Sequence, residues 1–165
     1  MLYVANVSED EVADPSENKY VKMVQEYAAA EGAQVIVVCA KIEEEISELE
    51  DEEKKEFLAE LGIAESGLDQ LIKASYSLLG LATYFTAGVQ EVRAWTFRKG
   101  MKAPQCAGII HSDFERGFIR AETVAFDDLV EYGSKSAAKE AGRVRSEGKE
   151  YVVQDGDVME FLFNV

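Results

Sequence analysis

The chain is 165 residues long, 47% hydrophobic and 10% aromatic, enough apolar material for one domain or two small ones with real cores. Its 32 acidic residues against 17 basic ones leave a formal net charge of -15, so any phosphate-binding surface has to be a local one. No apolar run approaches the roughly 20 residues that span a bilayer, and Met1 to Val7 lacks the basic flank and length of a signal peptide, so a cytoplasmic protein is expected, with neither membrane nor DNA as a partner.

Met1 to Val7 and Gln34 to Ala40 are short, nearly continuous apolar runs that read as buried parallel strands. Between them, Asp14-Pro15-Ser16-Glu17 carries a cap acid and a proline suited to a first helical position. The predicted helix sets Tyr20, Val24, Tyr27, Ala28 and Glu31 along one side and ends at Gly32. Strand, helix and strand make a right-handed crossover, so the segments leaving the carboxyl ends of the strands, Asn6 to Glu9 and Cys39 to Lys41, come together.

Residues 42–79 read as helical: an acidic segment taken as a solvated face, then Glu52 to Leu61 stopped by Gly62, then a helix opened by a capping box at Ser66 to Asp69 and ended by Gly80. The pattern then changes to period two. Val92 to Phe97, Phe118 to Phe126 and Val158 to Val165 are predicted strands, the last with Met159, Phe161, Phe163 and Val165 on one face. Pro104 to Ile110 and Lys135 to Arg145 are predicted helices, and Gln154 to Asp157 a turn, which together describe a compact α+β domain. No internal repeat and no low-complexity linker interrupts the chain.

Charge is unevenly placed. Residues 1–79 hold 19 acids and 6 bases, net -13, whereas residues 80–165 hold 13 acids and 11 bases, net -2. Between Arg93 and Arg120 six bases (Arg93, Arg98, Lys99, Lys102, Arg116, Arg120) meet only Asp113 and Glu115, a local excess suited to phosphate. Trp95 shares a strand face with Arg93 and Phe97; it either stacks RNA bases or packs against the helical region. Cys39 and Cys106 lie far apart, with no Cys-x-x-Cys and a single histidine in the chain, so no disulfide framework and no metal site is expected. His111-Ser-Asp113 contains triad residue types, but no activated nucleophile accompanies them, so His111 reads as a structural or ligand-positioning residue and no catalytic residue is assigned.

At the two strand ends, Asn6, Glu9 and Lys41 share one predicted crevice. Asn6-Val-Ser-Glu9 and Cys39-Ala-Lys41 are similar to the base-recognition loops of P-loop nucleotide hydrolases, where Asn-Lys-x-Asp precedes Ser-Ala-Lys. Glutamate in place of aspartate and Val7 in place of lysine weaken the readout of guanine, whose ring N-H and amine both donate to one carboxylate. No Gly-x-x-x-x-Gly-Lys-[Ser/Thr] occurs, and Gly142 to Lys149 is one residue too long and lacks the magnesium-binding hydroxyl, so this chain alone is not expected to hydrolyse nucleotide.

Longer motifs carry a family resemblance. Tyr84-Phe-Thr-Ala-Gly, Glu91-Val-Arg-Ala-Trp-Thr-Phe-Arg-Lys-Gly100, Ile110-His-Ser-Asp-Phe-Glu-Arg-Gly-Phe-Ile-Arg-Ala-Glu122 and Val153-Gln-Asp-Gly-Asp-Val158 closely resemble the C-terminal region of the YchF family of Obg-like ATPases. The resemblance implies an α/β remnant of a P-loop NTPase domain over residues 1–41, a helical connector over 42–80, and over 81–165 an α+β TGS domain of the ubiquitin-like β-grasp type. It implies that Asn6, Val7, Glu9 and Lys41 face the base or ribose of ATP, or GTP, held with Mg in the full-length parent, with no cofactor in this fragment. It also implies a link to ribosomes, and the basic cluster with its tryptophan (Arg93, Trp95, Arg98, Lys99, Lys102, Arg116 and Arg120) is the surface expected to meet ribosome or RNA. The alternative is a protein-docking β-grasp domain that regulates the parent ATPase.

Overall fold

The structure, a computed structural model, describes residues 1–88 and 91–164. The chain divides into two compact units, residues 1–79 and 80–165. Val165, assigned above to the last strand, lies outside the described residues.

In the first unit, β1 (Leu2–Asn6) and β2 (Gln34–Val38) pair in parallel, from Leu2 against Gln34 to Asn6 against Val38. The crossover holds a short helix α1 (Glu9–Val12), a single 3-10 turn (Pro15–Glu17) and α2 (Lys19–Ala30). The helix expected from Pro15 therefore starts later. The Asp14 carboxylate caps only the 3-10 turn, accepting from the Ser16 N-H, and Asn18 caps α2 by accepting from the N-H groups of Tyr20 and Val21. Helix α2 buries Val21 and Ala28, while Tyr20 and Tyr27 of the expected stripe are exposed. Their place on the helix is right for amphipathicity, but among the described residues only two strands lie beside them to pack against.

After β2 come α3 (Ala40–Ser47), α4 (Asp51–Glu60) and α5 (Gly67–Leu79). Cys39, Ile42, Ile46 and Leu58 form a core between α3 and α4, with Phe57 and Ile63 against it. Helix α5 meets the sheet at Gly67, where an added Cβ would lie 2.6 Å from Val38 Cγ1; glycine is required by that approach. The same helix end is held by Glu43, whose carboxylate accepts from the Gly67 and Leu68 N-H groups at 2.6 and 3.1 Å. Ser66 Oγ adds the predicted cap by accepting from the Asp69 N-H.

In the second unit the elements run β3 (Leu81–Ala87), β4 (Val92–Arg98), α6 (Ala103–Ile110), α7 (Ser112–Arg116), β5 (Phe118–Ala125), α8 (Phe126–Tyr132), α9 (Lys135–Glu140), β6 (Arg145–Glu147) and β7 (Asp157–Phe163). The five strands form one sheet in the order β4-β3-β7-β5-β6, parallel only between β3 and β7. Tyr84, Phe97, Cys106, Phe118 and Met159 belong to the core on one face of this sheet; Val124, Ala138 and Val158 form a second cluster with Phe85 and Leu129. The Tyr84 hydroxyl, fully buried, donates to the Cys106 carbonyl at 2.8 Å.

Several elements differ from the sequence reading, which also held no separate α7, α8 or β6. Strand β3 was not separately predicted, because Tyr84 and Phe85 pack into different clusters and the alternation that marks a half-exposed strand is blurred. The helix expected over 135–145 stops at Glu140; Gly142 turns with φ +71° and Arg145 enters β6. Phe126 starts α8 rather than closing β5.

Candidate functional site

The carboxyl ends of β1 and β2 do converge. Asn6, the last residue of β1, turns its Oδ1 to accept from the Ala40 N-H at 2.9 Å, tying the first loop to the first turn of α3. Glu9 opens α1 and Lys41 lies in the first turn of α3; Lys41 Nζ donates to Glu9 Oε2 at 2.8 Å. That bond to Glu9 is the main cause that raises the Lys41 pKa above its ordinary value. Val7 is buried and its N-H donates to the Val38 carbonyl at 2.9 Å, so it supports the loop from beneath instead of presenting a side chain.

Chemically, this cluster leaves the Asn6 amide as a donor and one Glu9 oxygen as an acceptor without partners among the described residues. Beside it lies a hollow of about 540 Å³ lined in part by Asn6, Val7, Ser8, Glu11, Asn18 and Tyr20. Glu11 braces this side: its carboxylate accepts from Ser8 Oγ and Asn18 Nδ2 at 2.8 and 2.9 Å, and the Ser8 bonds chiefly lower its pKa. The sequence reading overlooked Glu11 and Asn18, whose seven-residue separation gives no local signal.

The basic residues are placed less simply. Strand β4 carries Arg93 and Arg98 near its two ends, and Lys99 follows it. Arg93 lies over the Trp95 ring, 4.2 Å from its centroid, and is 3.8 Å from Glu91. Trp95 itself is partly buried against the sheet core, with Nε1 donating to Thr86 Oγ1 at 2.9 Å. Its indole is therefore covered on one side by core and on the other by guanidinium.

Lys102 pairs with Glu150 and Arg116 with Asp113, whereas the side chains of Arg98, Lys99 and Arg120 have no acidic partner among the described residues. Strand register separates Arg98 and Lys99 from Arg120. Ala94, Phe85, Val158 and Val124 stand side by side across the sheet, so Arg98 lies toward one end of the strands and Arg120 toward the other. At about 3.3 Å per residue the two are some 25 Å apart along the strand direction alone. The six bases are thus not one patch.

His111 joins α6 to α7. It ends the first helix, and its Nδ1 accepts from the Asp113 N-H at 3.2 Å to cap the second. Its ring meets Phe114, which stacks on Phe163 at 3.9 Å between centroids. Among the described residues no cluster of His, Cys, Asp and Glu suits a metal ion, and no helix is long and apolar enough to cross a membrane. Both cysteines are free and buried.

Comparison with known proteins bears on both units. A family model described as YchF-GTPase_C, protein of unknown function (DUF933), matches residues 81–164. The "Ribosome-binding ATPase YchF" of Bacillus subtilis (strain 168) is 79% identical over 165 residues, which are 100% of this chain and 45% of that protein. Its namesake in Escherichia coli O157:H7 is 57% identical over 99% of this chain and 44% of its own length. The chain therefore spans less than half the length of the curated relatives it matches. Among solved structures, the Schizosaccharomyces pombe YchF GTPase superposes with a TM-score of 0.86 at 36% identity, over 98% of this chain and 43% of that one. A GTP-binding protein from Pyrococcus horikoshii OT3 shares the fold, with a TM-score of 0.68 at 18% identity over 99% of this chain and 46% of that one.

Proposed function

We propose that this chain, which belongs to the YchF family, carries the base-reading end of a ribosome-binding ATPase together with a TGS domain that meets the ribosome. The observation that carries the nucleotide half is the joining of Asn6 to Ala40 and of Glu9 to Lys41 at the ends of adjacent parallel strands. In the full-length parent Asn6, Glu9 and Lys41 would face the base or ribose, with Val7 supporting them; the phosphates and Mg would be held by parts of the parent outside this chain. The Lys41 ammonium on Glu9 Oε2 competes with a second donor at that oxygen, and Glu9 with Val7 in place of the usual aspartate and lysine weakens the readout of guanine, which favours a site that takes ATP as well as GTP. Exposed Val4, Tyr20, Met23 and Tyr27 support residues 1–41 as the margin of a larger nucleotide domain, with residues 42–80 as a helical connector.

For residues 81–165, a hairpin β3-β4, a helix α6, and a last strand β7 returning beside the first support the β-grasp TGS reading. The exposed and unpaired Arg98 and Lys99 are the groups offered to ribosomal RNA phosphates. Equilibrium titration of the full-length protein tests the first half: Asn6→Ala should weaken ATP binding, and unchanged affinity removes the assignment. Co-sedimentation of this chain with ribosomes at low and moderate salt tests the second. Binding lost with salt and after Arg98→Glu, Lys99→Glu and Lys102→Glu supports it; no binding at either salt moves the contact to the rest of the parent.

A further inference from the structure

Where β5 leaves the sheet for α8, the chain passes close to the turn that starts β7. The Phe126 N-H donates to the Gly156 carbonyl at 3.0 Å, and the Gly156 N-H donates to the Thr83 carbonyl at 2.8 Å. Asp155, in the turn before β7, accepts from the Thr83 N-H through Oδ1 at 2.8 Å. Three segments distant in sequence are thereby tied together at one corner of the sheet. Phe85, paired with Val158 across the ladder, backs Phe126 there, with ring centroids 5.7 Å apart.

These segments border a hollow of about 380 Å³ lined in part by Thr83, Phe85, Phe126, Asp127 and Asp155. The charged residues lining it are Asp127 and Asp155, and both are exposed. Neither forms an ion pair among the described residues, so the Asp127 carboxylate and Oδ2 of Asp155 are open acceptors. Phe126 is 49% exposed, although Leu129 on the same helix packs into the core. One turn along α8 from Phe126, Val130 is 63% exposed.

Helix-end electrostatics accounts for part of this corner. Asp127 and Asp128 complement the amide end of α8, and Asp128 lies 3.9 Å from Arg143. That role requires neither an exposed aromatic ring nor a second open carboxylate, Asp155, brought in from another segment.

Chemistry selects the occupant. An aromatic face attracts a cation, and two carboxylates beside it reinforce the attraction while repelling nucleic-acid phosphate. A guanidinium suits both features: it is planar and weakly hydrated, lies flat on a ring and donates through a fixed fork to carboxylates at the ring edge. An ammonium, more strongly hydrated and without that fork, uses them less well. We propose that the hollow beside Phe126 docks an arginine side chain of a partner protein. Its guanidinium stacks on the Phe126 ring and donates to Asp127 and Asp155, and an aliphatic neighbour of that arginine rests on Val130. This site reads a cation on a protein and stands independently of the RNA-phosphate surface at Arg98 and Lys99.

The test follows the whole chain, isotope-labelled, by NMR during titration with acetyl-Gly-Leu-Arg-Leu-Gly-amide. The same peptide with citrulline for arginine, which keeps the shape and removes the charge, is titrated beside it. The arginine peptide should bind saturably and move the amide signals of Phe126, Asp127 and Gly156, and citrulline should weaken binding by about tenfold or more. Asp127→Asn with Asp155→Asn should abolish binding. The fold should survive in that variant, because the new amide oxygen at position 155 can still accept from the Thr83 N-H, and an unchanged Trp95 emission checks it. Phe126→Leu, which keeps apolar bulk without the ring, should cost about threefold. Absence of saturable shifts at millimolar peptide overturns the proposal. Equal binding of the citrulline peptide overturns it too, since the contact would then be apolar only. A single-stranded RNA that moves the same signals when the peptide does not would assign the hollow to nucleic acid and overturn it. Self-association of the chain that the double asparagine variant removes would assign the hollow to a second copy, with the same consequence.

Discussion

The two units solve the same problem with different means. The second surrounds a five-stranded sheet with buried side chains on both faces and holds bases and acids nearly in balance. The first has a two-stranded sheet, a small core around Ile42 and Ile46, exposed Tyr20, Met23 and Tyr27, and most of the negative charge. A wide sheet can bury aromatic residues outright, as with Tyr84 and Phe97, whereas a narrow one leaves part of each flanking helix uncovered. The units should therefore differ in how much a single core change costs. Trp95 is the chain's one tryptophan, so its fluorescence follows the second unit, while far-UV circular dichroism follows both.

The largest effect should come from Tyr84→Ala, which empties a fully buried site and leaves the Cys106 carbonyl without its donor, at a cost of about 3–5 kcal/mol. Urea unfolding followed by Trp95 should move to much lower denaturant, with a separate later phase in circular dichroism. Coincident transitions would break the comparison by showing that the units unfold as one. Gly67→Ala should cost about 1–3 kcal/mol in the first unit, because the new methyl group meets Val38. It should shift circular dichroism and leave the Trp95 transition in place. Gly108→Ala, where the clash is with the Glu115 side chain and its carboxylate end can swing away, should cost less.

A smaller effect in the second unit is read by pH. Lys135, together with Lys139, holds the Glu122 carboxyl below its ordinary 4.5. A carboxylate depressed in the folded state adds stability above its unfolded pKa and loses that contribution as pH falls through the lower, folded value. The urea midpoint seen by Trp95 should thus fall on acidification below about 4.5, and Glu122→Gln should flatten the fall. Smallest of all is Thr123→Val. Thr123 Oγ1 is buried without a hydrogen-bond partner among the described residues, so replacing it by a methyl group of similar shape should change stability by no more than about 0.5 kcal/mol or increase it. A loss beyond 1–2 kcal/mol, on the scale of an unsatisfied buried group, would show that the hydroxyl has a partner in solution.

Local chemistry alone determined a good part of this protein. Apolar runs of strand length with a crossover between them specify β1 and β2, and the chirality of such crossovers brings the segments that carry Asn6, Glu9 and Lys41 together. Ser66 and Gly32, Gly62 and Gly80 marked helix ends because capping and left-handed turns depend on a few neighbouring residues. Long motifs between Tyr84 and Val158 carried the family. What sequence distance did not contain was register across strands. Arg93 to Arg120 is a short stretch of chain, yet the turn of β4 into α6, α7 and β5 distributes its bases over both ends of a sheet, and ion pairs with Asp113 and Glu150 remove two of them. Only the tertiary structure decided that Phe85, Phe126, Asp127 and Asp155 border one hollow, because that depends on how β3 and β5 pair with β7. Exposure of Tyr20 and Tyr27 was settled the same way: a helical stripe is a local property, but whether anything covers it depends on the width of the sheet beneath.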